Sequence, residues 1–148
     1  MRRLGWLIAL LIAAAQPAQA AEPFEVRSAK GQFADVKDNL TQAIEGRGLV
    51  ISYTAQVAEM LDRTAADLGA SRRIYGAGEV LEFCSAKLSR QMMEADPRNL
   101  VFCPYTIAIY TLADKPGEVF IARKALPAGP AYEPIDALLR DIVAEAVR

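Results

Sequence analysis

No histidine occurs anywhere in the 148 residues, and that absence excludes whole classes of chemistry. Ser-His-Asp and Cys-His mechanisms need an imidazole base, and histidine-ligated zinc, copper and haem sites need imidazole ligands. Acid–base work would fall to Asp, Glu, Lys, Tyr or Cys. A surplus of one charge is missing too: 17 Lys and Arg stand against 18 Asp and Glu. Without a concentrated positive field nothing holds a phosphate backbone, so nucleic acid is not an expected partner. The basic clusters Arg72-Arg73 and Lys87/Arg90 read as solvated surface. The chain also lacks a long apolar run at its start. Leu4 to Ala15 gives 12 residues, against about 20 for a membrane span. The mature chain holds no repeat and no low-complexity tract.

That short run is instead the centre of a signal peptide. Arg2 and Arg3 precede it, Pro17 breaks it, and Ala18-Gln19-Ala20 places small residues where signal peptidase inspects the chain. Cleavage after Ala20 is expected, with a periplasmic or secreted product and no membrane span in the mature chain. No cysteine lies near the cleavage site, so a lipid anchor is not expected. Removing residues 1–20 leaves 128 residues with a net charge of −3, a length suited to one domain with one core.

Near the start of the mature chain, Phe24 to Ser28 alternates as a half-buried strand does. Phe33, Val36, Leu40, Ala43 and Ile44 then recur at helical spacing, with Gly46 and Gly48 as the stop. Leu49 to Tyr53 reads as a second strand. A helix capped by Thr54 follows, with Val57, Met60, Leu61, Thr64 and Leu68 as its apolar positions and Gly69 as its end. Ser71 to Gly78 reads as a loop. Val80 to Phe83 is a third strand ending at Cys84, and Ser85 caps a helix running to about Ala95. On that helix Cys84, Leu88, Met92 and Ala95 share one face, while Lys87, Arg90, Gln91 and Glu94 share the other. Pro97 stops it. Tyr105 to Leu112 is a strand with Ile107 and Ile109 on one face, joined through a type II turn at Pro116-Gly117 to Val119–Ala122. A linker, residues 126–134, leads to the clearest helix, 135–148. Its stripe of Ile135, Leu138, Leu139, Ile142, Val143 and Ala146 must be covered by the domain's own sheet or by a second copy.

Cys84 and Cys103 form the one cysteine pair, in a chain addressed to a compartment where disulfides persist. Three readings stay open. A structural disulfide would stabilise the fold by about 3 kcal/mol in the chain-entropy model. A redox pair would use Cys84 at a helix N-terminus, where the dipole lowers a thiol's pKa, with Cys103 as resolving partner. A Cu(I) site would add Met92 or Met93 to the two soft sulfurs, although a methionine on an apolar stripe is ordinarily packing. The carboxylates Glu94 and Asp96, beside Arg90 and Arg98, read as a solvated helix end. Tyr53, Tyr75, Tyr105 and Tyr110 read as half-buried strand residues rather than a pocket lining.

Glu82-Phe83-Cys84-Ser85-Ala86, Asp96-Pro97, Phe102-Cys103-Pro104-Tyr105 and Ile109-Tyr110, after a strand-helix-strand start, resemble the family catalogued as domain of unknown function 302. The resemblance runs from about Phe24 to Ala125 and leaves the C-terminal helix outside. It implies a small α+β fold of compact dimers with no agreed reaction. Its signature positions are Cys84 and Cys103, supported by Phe83, Ser85, Pro97, Pro104 and Tyr105.

The expectation is a two-layer α+β sandwich, in which four to five antiparallel strands carry helices on one face, plus the C-terminal amphipathic helix. A signal peptide (1–20), a domain (21–125), a linker (126–134) and the helix (135–148) divide the chain. The leading functional reading is a non-enzymatic binding or accessory module of the cell envelope, with no cofactor, a homodimer, and a protein or small-molecule ligand. A thiol-dependent redox or copper-handling protein is the alternative.

Overall fold

A computed structural model describes residues 22–148; the signal peptide expected at 1–20 lies outside the described residues. Five strands, β1 (Phe24–Lys30), β2 (Val50–Ala55), β3 (Tyr75–Cys84), β4 (Tyr105–Leu112) and β5 (Lys115–Lys124), form one antiparallel sheet in the order β1-β5-β4-β3-β2. The helices are α1 (Phe33–Glu45), α2 (Val57–Thr64), α3 (Ala86–Ala95) and α4 (Glu133–Ala146), with a 3₁₀ segment at Pro97–Phe102. The expected α+β sandwich is what the chain adopts.

The placement of α1 follows from that strand order. β1 and β2 are opposite edges of the sheet, so the chain between them must cross all five strands. Thirteen helical residues reach roughly 20 Å, and four inter-strand gaps span roughly 19 Å. Helix α1 is therefore as long as the sheet is wide, and its stripe of Val36, Leu40, Ala43 and Ile44 lies buried on it. Lys37 ties it to β3 through an ion pair with Glu79 at 2.7 Å.

Strict alternation carries the other half of the core. On β4 Tyr105, Ile107, Ile109 and Thr111 are buried while the residues between them are half-exposed. On β5 Val119, Ile121 and Arg123 are buried in the same way. Leu81 and Phe83 complete the inner face, and each such apolar side chain stabilises the fold by about 1.5–3 kcal/mol relative to exposure. The α4 stripe packs on α1, with Ile135, Leu139, Ile142, Val143 and Ala146 buried and Leu138 half-buried. The domain itself covers the C-terminal helix.

Several local expectations are corrected. Residues 75–78 are strand rather than loop, because β3 pairs with β4 from Tyr75–Leu112 onward. Gly76 sits at a bulge there, where an added Cβ would lie 2.8 Å from the Thr111 hydroxyl, and that hydroxyl accepts the Ala77 amide at 3.0 Å. Helix α2 ends at Thr64, and its buried residue is Ala58, with Met60 and Leu68 exposed. Its N-cap is Gln56, while Thr54 belongs to β2. After α1 it is Gly48, at φ +71°, and not Gly46 that takes the left-handed conformation. The β4–β5 turn is Ala113-Asp114, and Pro116 and Gly117 fall in a bulge between the Leu112–Lys115 and Thr111–Val119 pairs.

Helix α3 keeps its expected cap. The Ser85 hydroxyl accepts the Leu88 amide at 3.4 Å. Ser85→Ala should cost about 1 kcal/mol, read as a shift of the urea midpoint at unchanged slope. Its buried residues are Ser89 and Met92, with Leu88 half-buried and Ala95 exposed. Cys84 is not on the helix at all, because the extended backbone of Ser85 separates it from the first turn.

Candidate functional site

Cys84 and Cys103 converge where β3 ends and β4 begins. Phe83 pairs with Tyr105, which sets Cys84 across from Pro104 and one residue from Cys103. The chain between them is α3 and the 3₁₀ segment, which Asp96 opens in extended conformation with its carboxylate accepting the Arg98 amide at 2.9 Å. Pro97 occupies the first position of that segment, and Cys103 ends it with its amide on Leu100 at 3.0 Å. The Cys103–Pro104 peptide is cis. Both cysteines are free thiols, Cys84 exposed and Cys103 half-buried. The Cys103 thiol, the Tyr105 backbone and the Ser89 hydroxyl all act on the Cys84 thiol.

Ser89 is the organising polar group. It is buried on α3, 3.6 Å from the Cys103 sulfur and 2.7 Å from the Tyr105 hydroxyl. Tyr105 is itself buried, with its ring edge-on to Phe83 at 6.1 Å between centroids. A short chain of hydroxyls thus runs from the thiol pair into the core.

Electrostatics here oppose the expected activation of Cys84. Burial pushes its thiol up to about 11, and the neighbouring Cys103 pushes in the same direction. The Tyr105 backbone and the Ser89 hydroxyl pull it down, but less strongly. The dipole argument fails because Cys84 precedes the cap rather than occupying the first turn, and the dipole's effect fades within a turn. Burial also raises Tyr105, whose shift the Ser89 contact partly offsets.

Met92 is fully buried in the core, and Met93 is half-buried. Among the described residues no group of three or more His, Cys, Asp or Glu is arranged to hold a metal. Glu94 pairs with Arg90 at 2.7 Å and Asp96 with Arg98 at 2.6 Å, both at the surface. Tyr53 is exposed. Tyr75, Tyr110 and Phe120 form a row, edge-on at 5.5 Å and stacked at 5.3 Å.

That row lies on the sheet face opposite α1. By register, Val26, Ala122, Ala108 and Val80 form a line across four strands, with Phe24, Phe120 and Tyr110 beside it. Helix α2 covers β3 near Gly78, where Ala58 seats. Phe24 is 52% and Val26 42% exposed. Lys30 and Glu118 at one end, and Glu82 and Lys124 at the other, give the face a rim of mixed charge.

Sequence reasoning missed four buried polar residues, Ser89, Asn99, Thr111 and Arg123. Arg123 is 3% exposed, joined to Glu25 at 2.8 Å and Asp136 at 2.7 Å. Its position was legible, because it shares parity with Val119 and Ile121. Asn99 is also buried, donating to the Met92 carbonyl at 2.8 Å and accepting the Tyr132 hydroxyl at 2.8 Å. No local pattern marked it.

The family model described as Domain of unknown function DUF302 matches residues 24–126. Among solved structures, the crystal structure of an uncharacterized conserved protein DUF302 from Bacillus stearothermophilus is similar, with a TM-score of 0.65 at 15% identity. The match covers 86% of this chain and 97% of that one. No curated protein matches the chain in sequence.

Proposed function

This chain belongs to the DUF302 family, and on that premise we propose that it is an exported, non-enzymatic binding or accessory module of the cell envelope, acting as a homodimer through the uncovered face of its sheet. The observation that carries the reading is the apolar line Val26, Ala122, Ala108 and Val80 on the face opposite α1, with Phe24 and Val26 beside and within it still exposed among the described residues. An apolar centre with a charged rim is the anatomy of an interface. A rim holding both signs suits a two-fold, since Lys124 on β5 of one copy can meet Glu82 on β3 of another. Four strands of this length offer on the order of 500 Å², toward the small end of specific interfaces. The dimer is therefore concentration-dependent. Export rests on the leader pattern in residues 1–20. Among the described residues no helix is long and apolar enough to cross a membrane.

Sedimentation velocity tests the reading. The wild type should pass from monomer to dimer as concentration rises, and Ala108→Glu, which puts a charge at the centre of the apolar line, should stay monomeric with an unchanged circular dichroism spectrum. A wild type that is monomeric throughout the micromolar range would overturn it. Cys84→Ala/Cys103→Ala should dimerise like the wild type, because neither sulfur belongs to that face's centre.

A further inference from the structure

The thiol pair stands apart from the apolar line that carries the binding reading, and its parts are arranged unequally. Cys84 is exposed, whereas Cys103 is half-buried with its sulfur 3.6 Å from the Ser89 hydroxyl. Around them the surface is apolar: Val50, which pairs with Cys84, is 75% exposed, and Leu100 and Val101, just before Cys103, are 63% and 79% exposed. A staple alone calls for neither an accessible sulfur nor this apolar collar.

We propose that Cys84 and Cys103 are a thiol–disulfide exchange site for a disulfide-bonded substrate, with Cys84 as the entry thiol, Cys103 as the resolving thiol and Ser89 as a positioning residue. The Cys84 thiolate attacks one sulfur of the substrate disulfide, forming a mixed disulfide and releasing the first substrate thiolate. The Cys103 thiolate then attacks the Cys84 sulfur, closing Cys84–Cys103 and releasing the second. Two electrons pass from the protein pair to the substrate, and the two protons lost by the cysteines end on the two substrate thiols. Ser89 holds the Cys103 sulfur toward Cys84 from the buried side.

The same geometry sets the tempo. With its thiol held near 11, Cys84 carries little thiolate at neutral pH, so the first step should accelerate about ten-fold per pH unit from 7 toward 10. A low-pKa exchange enzyme would level off near neutrality. Cys84 also lacks the thiolate stabilisation that makes a dithiol strongly oxidising in its closed form. Once closed in an oxidising compartment the site is hard to reopen, so each chain passes its two electrons to substrate once.

The test uses the full mature chain, reduced and then challenged with oxidised glutathione or with a cystine-bridged peptide, and followed by intact mass. Cys103→Ser should accumulate a mixed disulfide on Cys84, Cys84→Ser should react at least ten-fold more slowly, and the wild type should end as an internal disulfide with no adduct. Faster reaction with the peptide would identify a polypeptide substrate bound on the collar, and Leu100→Asp/Val101→Asp should remove that preference. Faster reaction with glutathione would identify a small-molecule disulfide. Ser89→Ala should slow closure of the Cys84 adduct while leaving its formation and the pH profile of the first step unchanged. Equal reactivity of the two single variants, or a wild type that stops at the adduct, would overturn the proposal. Neither result would disturb the dimerisation reading, which is measured independently.

Discussion

Removing both carboxylates from Arg123, in Glu25→Ala/Asp136→Ala, should destabilise the protein by about 3 kcal/mol, and adding Arg123→Met should recover most of that loss. The guanidinium side chain is 2% exposed, while Glu25 and Asp136 are 53% and 28% exposed. The cost is therefore lopsided. A carboxylate that loses Arg123 can turn to water, whereas Arg123 without its partners is a desolvated charge with nothing to offset it. Methionine fills a similar volume without a charge, so the triple variant gives up the ion pairs and the desolvation penalty together. Asp136 also holds Arg140 at 3.0 Å, which leaves a small residual deficit in the triple variant. Urea denaturation of the wild type, the double and triple variants and Arg123→Met alone decides it: if Arg123→Met alone is the most damaging change, the site is governed by packing rather than by buried charge.

Closing Cys84–Cys103 should stabilise the chain by about 3 kcal/mol over its dithiol form, a difference of roughly 10 °C in melting temperature. The bridge would join the end of β3 to the start of β4 around α3 and the 3₁₀ segment, restricting a loop that the unfolded chain otherwise samples freely. Since Phe83 and Tyr105 already pair, the folded backbone has little distance to make up. Calorimetry on the oxidised chain with and without dithiothreitol measures the gap, and a free-thiol count on each sample assigns it to this pair. Melting temperatures that coincide would mean that closure strains the folded state as much as it restrains the unfolded one.

The α1 and α4 stripes and the β4 alternation were legible because each repeats one period for several turns or pairs against a single buried face. The pair of cysteines, the Ser85 cap and the Asp96-Pro97 break were legible because they act within three or four residues of themselves. Local patterns failed where distant pairing took over. Residues 75–78 carry two glycines and still form strand, because β4 supplies their hydrogen bonds and Thr111 fills the space beside Gly76. Met60 and Leu68 had the spacing of a buried stripe, but α2 is short and lies over one edge of the outer face, where only the small Ala58 fits against Gly78.

By itself the sequence determined the fold class, the leader pattern, the chemistry that lacking histidine excludes, and the identity of the two sulfurs. Tertiary structure decided what those sulfurs can do. The register of β3 on β4 brings Cys84 to Cys103, α3 delivers Ser89 to the Cys103 sulfur, and partial loss of water raises the Cys84 thiol where a helix terminus would have lowered it. Pairing across strands and the loss of water from a shared site depend on residues far apart in the chain, and no spacing along one segment encodes them.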